Sequence, residues 1–277
     1  MASAQDAAWS AGSAELLRPR ARARRLFEGT AAMAQVELRK LRHDNLDIFT
    51  RSVQPLLWLF VFGTALEGVR RFGAAGVDYK AFLVPGVMAQ AALFISIFFG
   101  LAIIWERDAG QLQRLLATPV PRFGIVLGKS SGAGIRALVQ ALVLLGVVAL
   151  ARIDLVWTVG RVVGALALLV IATGGFACLS MMLAALLKTR ERFMGIGQMV
   201  AMPLFFASSA LYPLAIMPGW LQAVARANPL TYEVHGLREL LLGVGGTEPL
   251  WVDFGVCAAF FLVTASLAAK AYPRSIL

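Results

Sequence analysis

The chain has 277 residues, of which 59% are hydrophobic and 15% are charged, and its mean hydropathy is +0.73. Soluble domains carry about 25% charged residues, so this composition excludes an ordinary water-soluble fold. The net charge of +10 could indicate nucleic-acid binding, but the basic residues are spread along the chain and do not form one patch. We therefore expect an integral membrane protein that contacts anionic lipid and binds no nucleic acid.

The N-terminal part of the chain divides into two segments. Residues 1–24 are rich in Ala, Ser and Arg and lack apolar periodicity, which predicts a disordered basic cytoplasmic tail. Residues 25–47 alternate apolar and charged side chains with a loosely helical period, which predicts an amphipathic helix on the membrane surface. Residues 48–277 form the predicted transmembrane domain.

Apolar stretches near the roughly 20 residues needed to cross a bilayer recur along this domain. They predict an all-α membrane protein with six transmembrane helices, and five or seven remain alternatives. The segment 213–246 mixes Pro, Asn, Glu, His and Arg, which predicts short re-entrant helices outside the membrane before the last span. The six predicted spans are residues 48–66, 82–104, 133–150, 162–187, 193–211 and 251–269.

The distribution of Lys and Arg predicts the orientation of the chain. Most of the 26 basic residues fall before the first span, between the second and third, between the fourth and fifth, and after the sixth. Because such residues favour the cytoplasmic side, both termini are predicted to be cytoplasmic, in a multi-pass protein of the bacterial inner membrane.

Few ionisable residues fall inside the predicted spans, where they usually mark ion or proton pathways. Arg51 and Arg136 lie near span ends, Glu67 lies at the outer end of the first span, and no acid occupies a span centre. A carrier driven by an ion gradient generally needs such an acid. The sequence therefore favours another source of energy.

Motifs of soluble enzymes are not matched. Residues 124–130 (Gly-Ile-Val-Leu-Gly-Lys-Ser) have three residues between the glycines, whereas a phosphate-binding P-loop needs four. His43 and His235 are far apart in sequence and on opposite predicted sides, which supports neither a two-histidine metal site nor a nearby acid–base pair. Cys178 and Cys257 are interpreted as packing residues. No catalytic residue and no metal ligand is predicted.

The segment between the second and third spans has its own helical pattern. Leu112, Leu115 and Leu116 recur at the spacing of one helix face, while Gln113 falls on another face, and Pro119 then ends the helix. A short amphipathic helix held between two spans could transmit the movement of a partner protein to both.

This loop resembles that of the membrane subunit of type-2 ABC exporters, which reads approximately Glu-Arg-x-x-Gly-x-Leu-x-x-Leu-x-x-Thr-Pro. Further similarity lies at residues 82–86, 209–213, 217–221, 228–232 and 238–243, and the drug-resistance and nodulation-factor export branch is the most similar. The matching loop residues are Glu106, Arg107, Gly110, Leu112, Leu115, Thr118 and Pro119.

The resemblance implies a permease that binds separate cytoplasmic ATPase subunits, pairs with a second copy or a sister permease, and binds no cofactor itself. ATP and Mg²⁺ would bind to the ATPase. It assigns coupling to the seven loop residues together with Leu116. It assigns an outer cap to Pro213, Pro218, Asn228 and Pro229, and a substrate route or dimer face to Phe60, Met199, Phe205 and Phe206, although packing also accounts for aromatic and Met residues in any helical bundle.

The expected function is export of a hydrophobic drug, lipid or lipo-oligosaccharide. The alternatives are a stand-alone ion-coupled secondary transporter and a non-transporting membrane scaffold or intramembrane enzyme.

Overall fold

The computed structural model of the chain describes residues 19–41, 45–65, 77–110, 121–187, 189–244 and 248–271. Side chains of the first helix are described over residues 27–39, and those of the second from residue 50. Within these ranges every regular element is a helix, which confirms the predicted all-α class.

We number the helices in chain order. Helix α2 is α-helical over Asn45–Leu57, widens into a π-helical turn over Trp58–Phe62 and ends with Gly63–Ala65. A 3-10 turn, Leu214–Ile216, precedes α7. The helices are α1 (Pro19–Leu41), α2 (residues 45–65), α3 (Tyr79–Asp108), α4 (Arg122–Leu150), α5 (Val159–Leu186), α6 (Arg190–Phe206), α7 (Gly219–Ala227), α8 (Pro229–Leu242) and α9 (Leu250–Ala271).

Among the described residues, α3, α4, α5 and α9 are long and apolar enough to cross a membrane. They coincide with four of the predicted spans, 82–104, 133–150, 162–187 and 251–269. Helix α3 has 30 residues and is about 45 Å long at 1.5 Å per residue. It therefore extends well beyond a hydrocarbon core of about 30 Å.

The other two predicted spans, 48–66 and 193–211, fall on α2 and α6, which are not long uninterrupted helices. The π-helical turn of α2 follows Pro55, whose ring prevents the regular hydrogen bond one turn earlier. Helix α6 has 17 residues, contains Pro203 and ends at Phe206. The described part of the chain thus contains four helices of spanning length, and the count of six stays a prediction.

The N-terminal helix begins before the boundary predicted at residue 25. Helix α1 runs from Pro19 to Leu41, so residues 19–24 of the predicted disordered tail are helical, and α2 begins at Asn45 inside the predicted amphipathic segment. Proline is well tolerated in the first helical turn, and the following Ala and Arg residues are good helix formers. The rest of the predicted tail lies outside the described residues.

Helix α5 lies at the centre and packs against α3, α4, α8 and α9. Small residues allow the closest of these contacts. A Cβ atom at Gly175 would lie 2.6 Å from Cδ1 of Phe260, and one at Gly174 would lie 3.1 Å from Cε2 of Phe261. Lipid gives no hydrophobic drive for helix association, so close van der Waals contact of this kind holds such helices together.

Hydrogen bonds between side chains and backbone join α3 to α5. The Ser96 hydroxyl donates to the carbonyl of Thr173 at 3.2 Å, and the Ser180 hydroxyl donates to the carbonyl of Ile97. The amide of Gly100 in turn donates to the Ser180 oxygen at 3.0 Å. These neutral polar residues therefore join helices.

The bundle has two ends. Helices α3 and α5 end, and α4 and α6 begin, at one of them, which we call the 108–122 end. The opposite 151–158 end carries the first turn of α3 and the last turn of α8, since the amide of Val156 donates to the carbonyl of Leu241 at 2.7 Å.

Helix α8 is a short helix packed inside the bundle. It has 14 residues and α7 has nine, and both are shorter than the roughly 20 residues of a full span. Gly236 faces Leu168, and one turn later Leu240 faces Gly164. Helix α8 therefore runs antiparallel to α5 and towards the 151–158 end.

A close backbone contact joins α3 to the segment after α6. A Cβ atom at Gly86 would overlap the carbonyl oxygen of Ala210 and would lie 3.0 Å from its Cα. Backbone atoms cannot move aside as the end of a flexible side chain can. Only glycine fits this position without displacing the 207–213 segment.

We expect Gly86→Ala to lower the free energy of unfolding by about 2 kcal/mol, the scale of overpacking. Gly146→Ala in α4 is the matched control, because a Cβ there meets nothing within 4 Å. Alanine favours helix by up to about 1 kcal/mol over glycine, so the control should be neutral or stabilising. Thermal unfolding in detergent measures both variants, and equal melting temperatures would contradict the contact.

Candidate coupling and translocation site

The two stems of the loop between α3 and α4 are joined by an ion pair. The ammonium of Lys129 on α4 donates to the carboxylate of Glu106 near the end of α3. Their side chains are only 6% and 16% exposed, so solvent screens the pair little. Movement of the loop would therefore be passed to both helices.

A second group of charges joins α3 to α6 at the same end. The guanidinium of Arg190 donates to Oδ2 of Asp108 through Nε at 3.1 Å and Nη2 at 2.8 Å. Arg107 donates to the other carboxylate oxygen at 3.2 Å. Because these side chains are partly exposed, their effect on stability is small. They nevertheless fix the start of α6 beside the end of α3.

Helix α1 packs along a glycine face of α4. A Cβ at Gly128 would overlap the Cβ of Met33, and a Cβ at Gly132 would lie 2.8 Å from Cγ of Glu37. Thr30 extends the same face, since its hydroxyl donates to the carbonyl of Gly124 at 3.4 Å. Gly128 and Gly132 thus allow two helices to approach closely, and this role of Gly128 is distinct from phosphate binding.

An ion pair continues this contact between α1 and α4. The carboxylate of Glu37, a buried residue, accepts from both terminal nitrogens of Arg136 at 3.4 and 3.5 Å. The Arg136 guanidinium also lies 5.5 Å from the ring centroid of Phe99 on α3, within the range of a cation–π contact. Arg136 thereby joins α1, α3 and α4.

The structure describes three of the eight predicted coupling residues. Glu106 and Arg107 make the ion pairs above, and Gly110 has φ +70° with nothing within 4 Å of an added Cβ. That left-handed conformation suits glycine and lies just after the end of α3. The predicted coupling residues Leu112, Leu115, Leu116, Thr118 and Pro119 lie outside the described residues.

A cavity of about 230 Å³ lies between α2, α3 and α4. The apolar part of its wall includes Phe94 and Phe98 of α3, whose rings stack with centroids 6.2 Å apart. The polar part of its wall comprises Arg51, Gln54, Gln90 and Gln140.

Hydrogen bonds hold part of the polar wall in place. The Nε2 of Gln140 donates to the backbone carbonyl of Arg51 at 3.1 Å, which positions α2 against α4. Gln90 is 4% exposed, and its Oε1 is buried without a hydrogen-bond partner. An unsatisfied buried acceptor destabilises a fold, and a hydrogen bond from a ligand would remove that cost. The cavity wall thus combines aromatic rings with an amide oxygen that has no hydrogen-bond partner.

The four predicted route or dimer residues do not line this cavity. Met199, Phe206 and Phe60 are 75%, 44% and 38% exposed on α6 and α2. Phe205 is buried, and its ring meets Trp58 edge-on at 5.9 Å. Packing thus accounts for Phe205, whereas the other three lie on an apolar surface.

The four predicted cap residues begin helical turns. Pro213 and Pro218 precede the 3-10 turn and α7. Asn228 caps α8 by accepting from the amide of Leu230 at 3.0 Å, and Pro229 occupies the first turn. The Asn228 side chain also donates to the carbonyl of Leu204 at 2.6 Å, which ties α8 to α6.

Arg238 of α8 is a buried residue whose role the sequence did not reveal. Its guanidinium lies 3.7 Å from the ring centroid of Phe82 and donates to the carbonyls of Ser209 and Ala210 at 2.6 and 3.1 Å. Tyr79 donates to the next carbonyl, that of Leu211, at 3.2 Å. Residues 82–86, 209–213 and 238–243, three of the segments that resemble the family, therefore meet at the Arg238 guanidinium.

His235 has an acidic partner that the sequence did not indicate. Its Nδ1 lies 2.7 Å from Oδ2 of Asp253 in α9, and Asp253 is fully buried inside a spanning helix. The spacing of His235 and Glu239 on one helix face was a visible signal. The sequence did not indicate Asp253, because an acid in the first turn of a span is normally close to the membrane surface. Its burial results from the packing of α8 against α9.

Both cysteines are buried and free, as expected of packing residues.

These features define a polytopic helical membrane protein. At one end, charge pairs join the helices that flank the loop, and at the other end the short helix α8 packs inside the bundle. The sequence profile of the ABC-2 type transporter family matches residues 29–242. The chain belongs to this family and is a transport permease.

Several relatives support this assignment. The daunorubicin resistance ABC transporter permease of Streptomyces coeruleorubidus is 26% identical over 233 residues, 83% of this chain and 81% of the relative. Nodulation protein J of Rhizobium meliloti is 32% identical over 230 residues, 79% and 84% of the two chains. The ycf38 protein of Cyanophora paradoxa is 30% identical over 203 residues, 73% and 70% of the two chains.

The Glu106–Lys129 pair makes a double-mutant test. Glu106→Gln should destabilise the protein by on the order of 3 kcal/mol, because it leaves a buried ammonium unpaired. Glu106→Gln combined with Lys129→Met should recover most of that loss. Asp108→Asn, which breaks a partly exposed pair, should cost much less stability than Glu106→Gln. Unfolding in detergent measures all three, and additive effects of the two Glu106–Lys129 substitutions would contradict the pairing.

Proposed function

We propose that the chain is the transmembrane subunit of an ATP-binding cassette exporter of a bacterial inner membrane. A separate cytoplasmic ATPase would bind ATP and Mg²⁺, and this chain would move a hydrophobic drug, lipid or lipo-oligosaccharide outward. Membership of the ABC-2 type family supports this proposal. The relatives include a daunorubicin resistance permease and a nodulation protein, which favours amphipathic substrates.

The single observation that carries the coupling role is the linkage of helices at the 108–122 end. Glu106 and Lys129 join α3 to α4, and Asp108 and Arg190 join α3 to α6. The glycine face of α4 adds α1 to the same assembly. An ATPase that bound residues 111–120 as a coupling helix would therefore push on four helices together.

The proposed substrate route includes the cavity between α2, α3 and α4. The aromatic rings of Phe94 and Phe98 suit the apolar part of an amphipathic molecule. Gln90, Gln140 and Arg51 suit its polar part. The exposed apolar surface of α2 and α6, which includes Phe60, Met199 and Phe206, would face a second permease copy or lipid.

Coupling is tested by two aspartates placed on the predicted apolar face of the loop. Leu112→Asp with Leu115→Asp should leave insertion intact and abolish transport, because a charge buried unpaired at a protein contact is costly. Gln113→Asp, on another face of the predicted helix, is the matched control and should keep transport.

The measurement is co-purification with the cognate ATPase and ATP hydrolysis in lipid nanodiscs. Normal activity of the double variant would remove the loop from coupling. A wild-type chain that recruits no ATPase would contradict the exporter itself.

The cavity is tested by Gln90→Leu. Because the substitution removes a buried unsatisfied oxygen, we expect a melting temperature equal to or above that of the wild type. Substrate-stimulated ATP hydrolysis should fall if the amide contacts the substrate. Leu142→Gln on the exposed face of α4 is a control that should leave stimulation unchanged. A Gln90→Leu variant with lower stability and unchanged stimulation would assign Gln90 to the fold alone.

The stand-alone ion-coupled carrier remains the second candidate, and the buried acids Glu233 and Asp253 are the observation that favours it. Acids at such positions often line ion pathways. Efflux that survives ATP depletion and stops when the ion gradient is dissipated would support this candidate.

A further inference from the structure

Three side chains of types that can bind a metal ion lie close together where α8 packs on α9, near the 151–158 end. His235 and Glu239 are four residues apart on α8 and therefore share one face, and Asp253 lies opposite them in the first turn of α9. One ligand atom from each residue lies within 4.8 Å of the other two. The two helices thus contribute one imidazole and two carboxylates to a single point.

The buried oxygens of this cluster are not all satisfied. Asp253 is 0% exposed, and its Oδ1 has no hydrogen-bond partner, although its Oδ2 contacts His235. The Oε2 of Glu239 is likewise buried without a partner. A buried carboxylate oxygen without a partner carries a desolvation cost, so these atoms are available to a ligand inside the cluster.

Helix α8 also carries Glu233 and Arg238 near the cluster in sequence. Glu233 is fully buried, and both of its carboxylate oxygens lack partners. Arg238 on the same helix is directed to the Phe82 ring and to the carbonyls of the 209–210 segment. A divalent cation would instead balance the carboxylate charges of Glu239 and Asp253.

The surroundings also provide space and access. A Cβ atom at Gly236 would lie 3.1 Å from Cβ and 3.2 Å from Oδ2 of Asp253. Glycine at this position lets α9 bring its carboxylate close to α8. The His235 side chain is 22% exposed, which opens the cluster to solvent.

We propose that His235, Glu239 and Asp253 bind a divalent transition-metal ion of the Zn²⁺ class. Imidazole together with carboxylates suits Zn²⁺, whereas Mg²⁺ prefers oxygen ligands alone. Three protein ligands leave a further position for water. The bound ion would join the half-helix α8 to the spanning helix α9.

This inference concerns binding by the chain itself and does not depend on the proposed export function. Because an ion that binds the folded state alone stabilises it, metal should raise the melting temperature. It should also restrain α8, the helix whose Arg238 holds the segment after α6.

The test uses the full-length protein, purified in detergent, stripped with a chelator and titrated with ZnCl₂. Calorimetry should give one Zn²⁺ per chain, with a rise in melting temperature. MgCl₂ at the same concentration should give neither. His235→Ala and Glu239→Gln should each weaken Zn²⁺ binding by roughly tenfold or more, since even residues that only support a ligand contribute that much.

Asp154→Asn is the matched control, because Asp154 is an exposed carboxylate of the 151–158 segment, and it should bind Zn²⁺ as the wild type does. Glu239→Gln keeps the size of the side chain, so it decides the result if His235→Ala does not fold. A wild-type protein that binds no Zn²⁺ would overturn the proposal. So would a Glu239→Gln variant with wild-type affinity.

Discussion

The buried guanidinium of Arg238 holds the 151–158 end of the molecule together. It covers the ring of Phe82 on α3 and satisfies the carbonyls of Ser209 and Ala210, where α6 has ended and the backbone has no helical partner. Backbone carbonyls at membrane depth are tolerated only when the protein satisfies them. The close approach of Gly86 to Ala210 completes the arrangement, so the early end of α6, the position of α8 and the glycine of α3 are parts of one constraint.

At the 108–122 end, charge pairs play the corresponding role. The Glu106–Lys129 pair is shielded from solvent and joins the two helices that flank the loop. The glycine face of α4 lets α1 lie against the same helix. One end of the bundle therefore suits a partner that moves several helices together, and the other end closes over a buried half-helix. Between them, the cavity beside α3 has aromatic and amide surfaces, which the proposed amphipathic substrate would contact.

The charged side chains of α8 contact different neighbouring segments. Arg238 faces α3 and the segment after α6, whereas His235 and Glu239 face Asp253 on α9. Because successive helical residues project about 100° apart, one short helix can meet both neighbours with different chemistry. The Arg238 guanidinium thus holds α8 to α3 and the segment after α6. On its other side, a metal ion at the proposed site would join α8 to α9 and neutralise the carboxylates of Glu239 and Asp253.

Composition and apolar stretch length alone determined that the protein is helical and membrane-embedded, since no soluble fold buries so much apolar surface. The loop pattern and the segments around residues 82, 209 and 238 determined the family. Tertiary structure decided where α6 gives way to non-helical backbone, because Gly86 of α3 and the Arg238 guanidinium contact Ser209 and Ala210 there. It also decided the partners of Arg238, Lys129 and Asp253, which lie more than a dozen residues away along the chain. Periodicity reports which face of a helix is apolar and carries no information about the helix that covers it.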